Sequence, residues 1–241
     1  MIKLGLYSSI ANPPRGDDMD CCVQETLAEA ELSEACGFHG FFFDEHHQDQ
    51  DGFLPSPLVV CSAVAARTKK IQIGTSVLLL PLHHPLRIAE DVATLEAVSG
   101  GRVALGVGIG YQDADLRAMG IEKKHRVGRF EEAIEILRKA WTGEPFTHKG
   151  HHFDIENVRV TPKPIQHPNP PIWIGAWVLA ALERAGRLGD AVVMSPSWPL
   201  SELAAAAETY RKAALVAGKE PEIVMMRDAR VADSLEDAAR V

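Results

Sequence analysis

Cysteine is scarce and badly placed for metal or disulfide chemistry. The 241-residue chain holds four, Cys21, Cys22, Cys36 and Cys61, all in its first quarter and two of them adjacent. That spacing matches no zinc pattern, so no metal site is expected, and the thiols read as reduced ones in a cytoplasmic protein. Positive charge is neither in excess nor clustered: 25 Lys and Arg face 33 Asp and Glu, a formal net charge of -8. A nucleic-acid surface needs a basic stripe, and none is present. No apolar run approaches the roughly 18 residues that span a bilayer. The opening residues 1–7 are broken too early to form a signal-peptide core. The expectation is a cytoplasmic protein with no nucleic-acid and no membrane partner. Also missing is a glycine-rich turn after the first apolar run, where Ser8-Ser9-Ile10-Ala11-Asn12-Pro13-Pro14 contains no glycine. A dinucleotide fold keeps its phosphate-binding glycines at that turn, so no nicotinamide site is expected.

What is present is a rhythm. Short apolar runs at residues 2–7, 38–43, 71–80, 102–107, 171–175, 190–195 and 223–231 predict strands. Between them, residues 20–36, 57–67, 86–98, 126–141, 179–188 and 201–217 predict amphipathic helices, with Phe130, Ile134, Leu137 and Trp141 on one stripe. Residues 233–241 read as the start of another helix. Strands with few polar residues, separated by helices, mean a parallel sheet covered on both sides. Seven strand–helix units point to an α/β fold, a TIM (β/α)8 barrel lacking its last strand. The chain is expected to be a single domain over 1–241, truncated at its C-terminal side. Residues 143–170 break the rhythm with five prolines and four histidines. They read as an insertion packed on the barrel, with a short hairpin at 153–160.

The chemistry-bearing groups fall at strand ends, where barrels keep their active sites. Phe41-Phe42-Phe43 is followed at once by Asp44-Glu45-His46-His47. Alternation lets at most one of His46 and His47 face the barrel interior. An imidazole there can act as general base or face a negative charge at neutral pH; the alternative is a loop or capping histidine. His83-His84, just before Pro85, either joins that pair or caps the next helix. Gly106, Gly108 and Gly110 end the fourth strand and would let a flat ligand approach the backbone. Gly175-Ala176-Trp177 leads from strand to helix, a suitable place for a phosphate or an ordinary turn.

Taken in order, these motifs resemble the bacterial luciferase-like flavin-dependent monooxygenases. The resemblance rests on Phe43-Asp44-Glu45-His46-His47, Arg67-Thr68-Lys69 with Ile71, Ile73, Gly74 and Thr75, and Leu80-Pro81 with His84, Pro85, Arg87, Ala89, Glu90 and Asp91. It continues through Ser99-Gly100-Gly101-Arg102, Gly106, Gly108, Gly110, Arg126 and Pro171-Ile172-Trp173-Ile174-Gly175.

The resemblance implies reduced FMN at the C-terminal mouth of the barrel, with oxygen adding at flavin C4a and the resulting hydroperoxide oxidising a small organic substrate. It implies His46 beside the flavin, making His46 and His47 the candidate catalytic pair. It further implies a cis peptide at Ser76–Val77, Gly108 beside the ring, and the phosphate held by Arg126 and the backbone from Gly175 through Ala176 and Trp177. A separate flavin reductase and a homodimer are implied as partners. Three positions depart from the family pattern: Trp177 replaces a common phosphate-binding serine, Gly108 a luciferase cysteine and Ile109 an arginine. Two other outcomes stay open within the resemblance. One is hydride transfer with the deazaflavin F420, whose users more often carry Ser-Asp-His at this strand end. The other is a non-catalytic flavin-binding homologue.

Overall fold

The computed structural model describes residues 2–229, 231–234 and 237. It begins β1 (Gly5–Ser8), α1 (Met19–Ala35), β2 (Gly40–Phe43), α2 (Pro57–Arg67) and β3 (Gln72–Leu79). A 3-10 turn, Leu80–Leu82, leads into α3 (Pro85–Ser99) and β4 (Val103–Gly108). Then come α4 (Asp113–Ala118), α5 (Arg126–Ala140) and an antiparallel pair, β5 (Phe146–Lys149) with β6 (Asp154–Val158). The rhythm closes with β7 (Ile172–Ala176), α6 (Leu179–Leu188), β8 (Ala191–Met194), α7 (Leu200–Val216) and β9 (Glu222–Met225). Seven strands form one parallel sheet in the order β1-β2-β3-β4-β7-β8-β9. This is the curled sheet of a TIM barrel short of one strand. β1 and β9 are its edges, and both remain largely exposed.

Strand alternation explains two separate apolar cores. Phe41 and Phe43 point outward, into the large cluster between sheet and helices, where Trp141 and Phe130 are fully buried. Phe42 points the other way. It packs with Ala104, Trp173, Ala191 and Val193 in a smaller cluster inside the curl, its ring centroid 5.0 Å from that of Trp173. The Phe-Phe-Phe run therefore serves both faces of one strand.

Acidic acceptors seat the N-terminal ends of three strands. Glu34 of α1 accepts backbone N–H bonds from Lys69, Lys70 and Ile71, at the entry to β3. Glu96, fully buried in α3, accepts from Val103 N at 3.0 Å and from the Gln166 amide at 2.8 Å. Asp190 accepts from Ile172 N at 2.8 Å and from Arg138 at 2.9 Å. The Arg102 guanidinium donates to carbonyls of Ser99, Ile71, Ala65 and Thr68. Glu96, the fully buried one, is satisfied by its bonds, which is the condition for keeping it there.

Several boundaries differ from the sequence reading. The hairpin begins at Phe146, not 153. Its first strand, Phe-Thr-His-Lys, is polar because it is mostly exposed, so it carries no apolar signature. The last strand stops at Met225, short of the expected residue 231, because its partner β8 ends at Met194. Helix α4 was not expected, being only six residues long with two buried ones. The helix expected over 233–241 falls largely outside the described residues.

Strand crowding generates one prediction. A Cβ on Gly74 would lie 1.8 Å from the Ala104 carbonyl oxygen of the neighbouring strand. Backbone cannot yield as a flexible side chain does. Gly74→Ala is expected to lower unfolding free energy by about 3 kcal/mol in urea titration.

Candidate active site

β2 ends at Phe43, and Asp44 and Glu45, both buried, follow it. The next two residues supply imidazoles in register: His46 Nε2 lies 3.3 Å from Asp44 Oδ2, and His47 Nε2 lies 2.9 Å from Glu45 Oε1. The four residues are thus two interleaved carboxylate–imidazole pairs, each spaced i, i+2. Alternation carried past the strand end separates them onto opposite sides.

The outer pair is a structural hub. Glu45 Oε1 also meets His83 Nε2 at 2.7 Å, and Oε2 accepts the Leu79 backbone N–H. One carboxylate therefore ties the end of β2 to the end of β3 and the turn after it. Burial alone would raise its pKa, but the hydrogen bonds from His47, His83 and Leu79 outweigh burial and hold it at about 2. His47 is raised in turn by Glu45.

The inner pair is reached from β1. Asp44 Oδ2 accepts from the Tyr7 hydroxyl and lies 3.3 Å from Ser9 Oγ. Asp44 Oδ1 is buried with no hydrogen-bond partner. His46 packs edge-on against Phe53, with ring centroids 4.0 Å apart. Its pKa is raised, chiefly by the Asp44 carboxylate and against partial burial.

The remaining candidates divide. Ser76 and Val77 are joined by a cis peptide, as the resemblance implied. Val77 sits between two strand ends that lack side chains. A Cβ on Gly108 would meet its Cγ2 at 2.7 Å, and one on Gly175 its Cγ1 at 3.3 Å. Ser76, Val77, Gly108 and Gly175 are thus brought together, and Ala176 is linked to Trp198, whose Nε1 donates to its carbonyl at 3.1 Å. Gly106 has a different reason to be glycine: its Cβ would lie 2.0 Å from the Thr75 carbonyl oxygen. Trp177 is 56% exposed and tilts against Tyr111, their ring centroids 5.6 Å apart. Arg126 donates from Nη1 to the Lys123 carbonyl at 3.1 Å, and its Nε is buried without a partner. His84 is a helix cap: its Nδ1 accepts from Leu86 N at 3.3 Å. His83 does join the first pair.

The whole arrangement matches a family model described as luciferase-like monooxygenase over residues 2–241. The chain belongs to the luciferase-like monooxygenase family. It is 27% identical over 224 residues to the oxygenase component of the flavin-dependent trigonelline monooxygenase of Acinetobacter baylyi, covering 89% of this chain and 61% of that protein. It is 35% identical over 173 residues to the F420-dependent glucose-6-phosphate dehydrogenase of Nakamurella multipartita, covering 68% and 50%. The solved monooxygenase RslO1 of Streptomyces bottropensis superposes with a TM-score of 0.91 at 28% identity, covering 98% of this chain and 74% of that one. The chain spans about half to three-fifths of the length of the curated relatives it matches. Flavin-dependent and F420-dependent members thus both stand among its relatives. Among the described residues, no helix is long and apolar enough to cross a membrane.

Within this luciferase-like site, sequence reasoning missed Glu45 as a hub, Tyr7 as a donor and Asp115. The buried Asp115 carboxylate accepts from Gln48 Nε2 at 3.3 Å and adds to the negative field around both histidines. Only the i, i+2 spacing of carboxylates and imidazoles could have signalled the pairing.

The Glu45 hub generates a pH prediction. Its folded pKa lies below the ordinary carboxylate value of about 4.3, so its stabilisation is complete above that value and is lost as pH falls through about 2. Glu45→Gln should lower unfolding free energy at pH 7 by about 2–3 kcal/mol. The loss should shrink when denaturation is repeated at pH 3.

Proposed function

We propose that this chain is the catalytic barrel of a flavin-dependent monooxygenase that uses reduced FMN and O2 to oxidise a small organic substrate. The observation that carries the reading is His46: a half-buried imidazole at a strand end, paired with a buried carboxylate and protonatable near neutral pH.

The residues present suit an anionic flavin. The buried Arg126 Nε has no partner, and no side chain caps the start of α6, the kind of helix end that suits an anion. Gly175, Ala176 and Trp177 lead into that helix start and would hold the phosphate with Arg126. Ser76, Val77 and Gly108 would lie under the ring system. Trp177 offers an exposed indole where a hydroxyl is more usual, so phosphate binding there falls to backbone groups. When bound, reduced FMN supplies the two electrons that activate O2 for transfer of one oxygen atom to substrate, the other leaving as water.

The protein's part is to hold charge and move a proton. With the cofactor bound, a protonated His46 would face its negative charge and could donate a proton from its ring. His47, committed to Glu45, orients the segment that carries His46. A separate reductase would supply the reduced flavin, a reading supported by the trigonelline monooxygenase relative, which is named as an oxygenase component. The protein acts as a homodimer on a small-molecule substrate.

A second reading is hydride transfer with F420, supported by the F420-dependent relative at 35% identity. Asp44-Glu45-His46-His47 favours FMN, because two carboxylate–histidine pairs replace the single histidine of the F420 pattern. A binding-only role has no use for a paired, protonatable His46.

Anaerobic titration separates these readings. Photoreduced FMN is expected to bind at least tenfold more tightly than oxidised FMN. Equal affinity, or preferential binding of F420, would overturn the reading. His46→Ala should retain the wild-type circular dichroism and reduce turnover by about 100-fold or more; full activity would show that His46 moves no proton.

A further inference from the structure

We propose that Asp44 is a positioning residue for His46, and that the Tyr7 hydroxyl limits how strongly it acts. The proposal rests on the reading of His46 as the proton-carrying group, and its test is independent of flavin.

Two hydroxyls and one imidazole converge on one carboxylate oxygen. Asp44 is 4% exposed, and its Oδ2 takes the Tyr7 hydroxyl, the Ser9 hydroxyl at 3.3 Å and His46 Nε2 at 3.3 Å. Its Oδ1 is buried and unused. A carboxylate facing Nε2 favours the imidazole tautomer with hydrogen on that nitrogen. This leaves Nδ1 to exchange a proton with a bound molecule. Phe53 holds the ring from its other side at 4.0 Å. Asp44 thus selects the tautomer and the ring orientation without touching substrate.

Donors that share an oxygen compete. The Tyr7 hydroxyl draws charge from Oδ2 that would otherwise face His46, and Asp44 in turn raises the Tyr7 pKa, along with burial. The other groups acting on His46 are Asp49 and, from α4, Asp115, which also favour the cation. Glu45 is turned away to His47 and His83. Removing the carboxylate and removing the tyrosine hydroxyl should therefore move His46 in opposite directions. A merely structural role for either residue gives no such opposition.

The experiment is an NMR titration of the histidine Cε1–H resonances in the flavin-free protein, with His46→Gln identifying the His46 signal. Asp44→Asn should lower the His46 midpoint by about one pH unit, a tenfold change in proton affinity. Tyr7→Phe should raise it. An unchanged midpoint in Asp44→Asn, or an unchanged or lower one in Tyr7→Phe, would overturn the proposal. Should Asp44→Asn not fold, Tyr7→Phe decides alone, since that side chain is partly exposed and the substitution removes one hydroxyl. Failure of the protein to bind any flavin would sink the monooxygenase reading and leave the titration result standing.

Discussion

Two adjacent carboxylates buried at the end of one strand must be given donors, and most of the site follows from how this is done. Asp44 is 4% exposed and Glu45 1%. An unpaired charge in such a place costs several kcal/mol. Glu45 is satisfied by His47, His83 and the Leu79 N–H, all at strand ends or in the turn after β3. Asp44 is met at one oxygen by Tyr7 of β1, by Ser9 just after it and by His46. The ends of the first three strands are locked together by these two groups. His46 is the imidazole paired with Asp44, and His47 and His83 share Glu45.

The two ends of the barrel use the same chemistry for different purposes. At the strand starts, Glu34, Glu96 and Asp190 accept backbone N–H groups. At the strand ends, the carboxylates meet imidazoles, whose protonation changes near neutral pH. A stable floor lets the opposite face carry groups that gain and lose protons.

The fold was legible because period is a local property. Phe41–Phe43, Ile73–Leu79 and Val103–Val107 read as buried strands, and the stripe through Phe130, Ile134 and Leu137 read as a helix, with no long-range information needed. Segments whose side chains face solvent, such as β5, gave no such signal. The site was legible only in part. His46 stood out by position and by resemblance. The Glu45–His83 contact joins residues 38 apart, and the Glu96–Gln166 contact joins residues 70 apart; neither has a sequence period. Glycine was the most ambiguous residue. Gly106 yields to the Thr75 backbone and Gly108 to the Val77 side chain, so both have packing reasons that do not require a ligand.

The central claim is that His46, held by Asp44, places positive charge beside a reduced flavin. The most direct test is the midpoint potential of bound FMN at pH 7 in the wild type and in His46→Gln. The account predicts a potential lower by at least about 30 mV in the variant, the equivalent of a tenfold loss of preference for the reduced form. Identical potentials in the two proteins would contradict it.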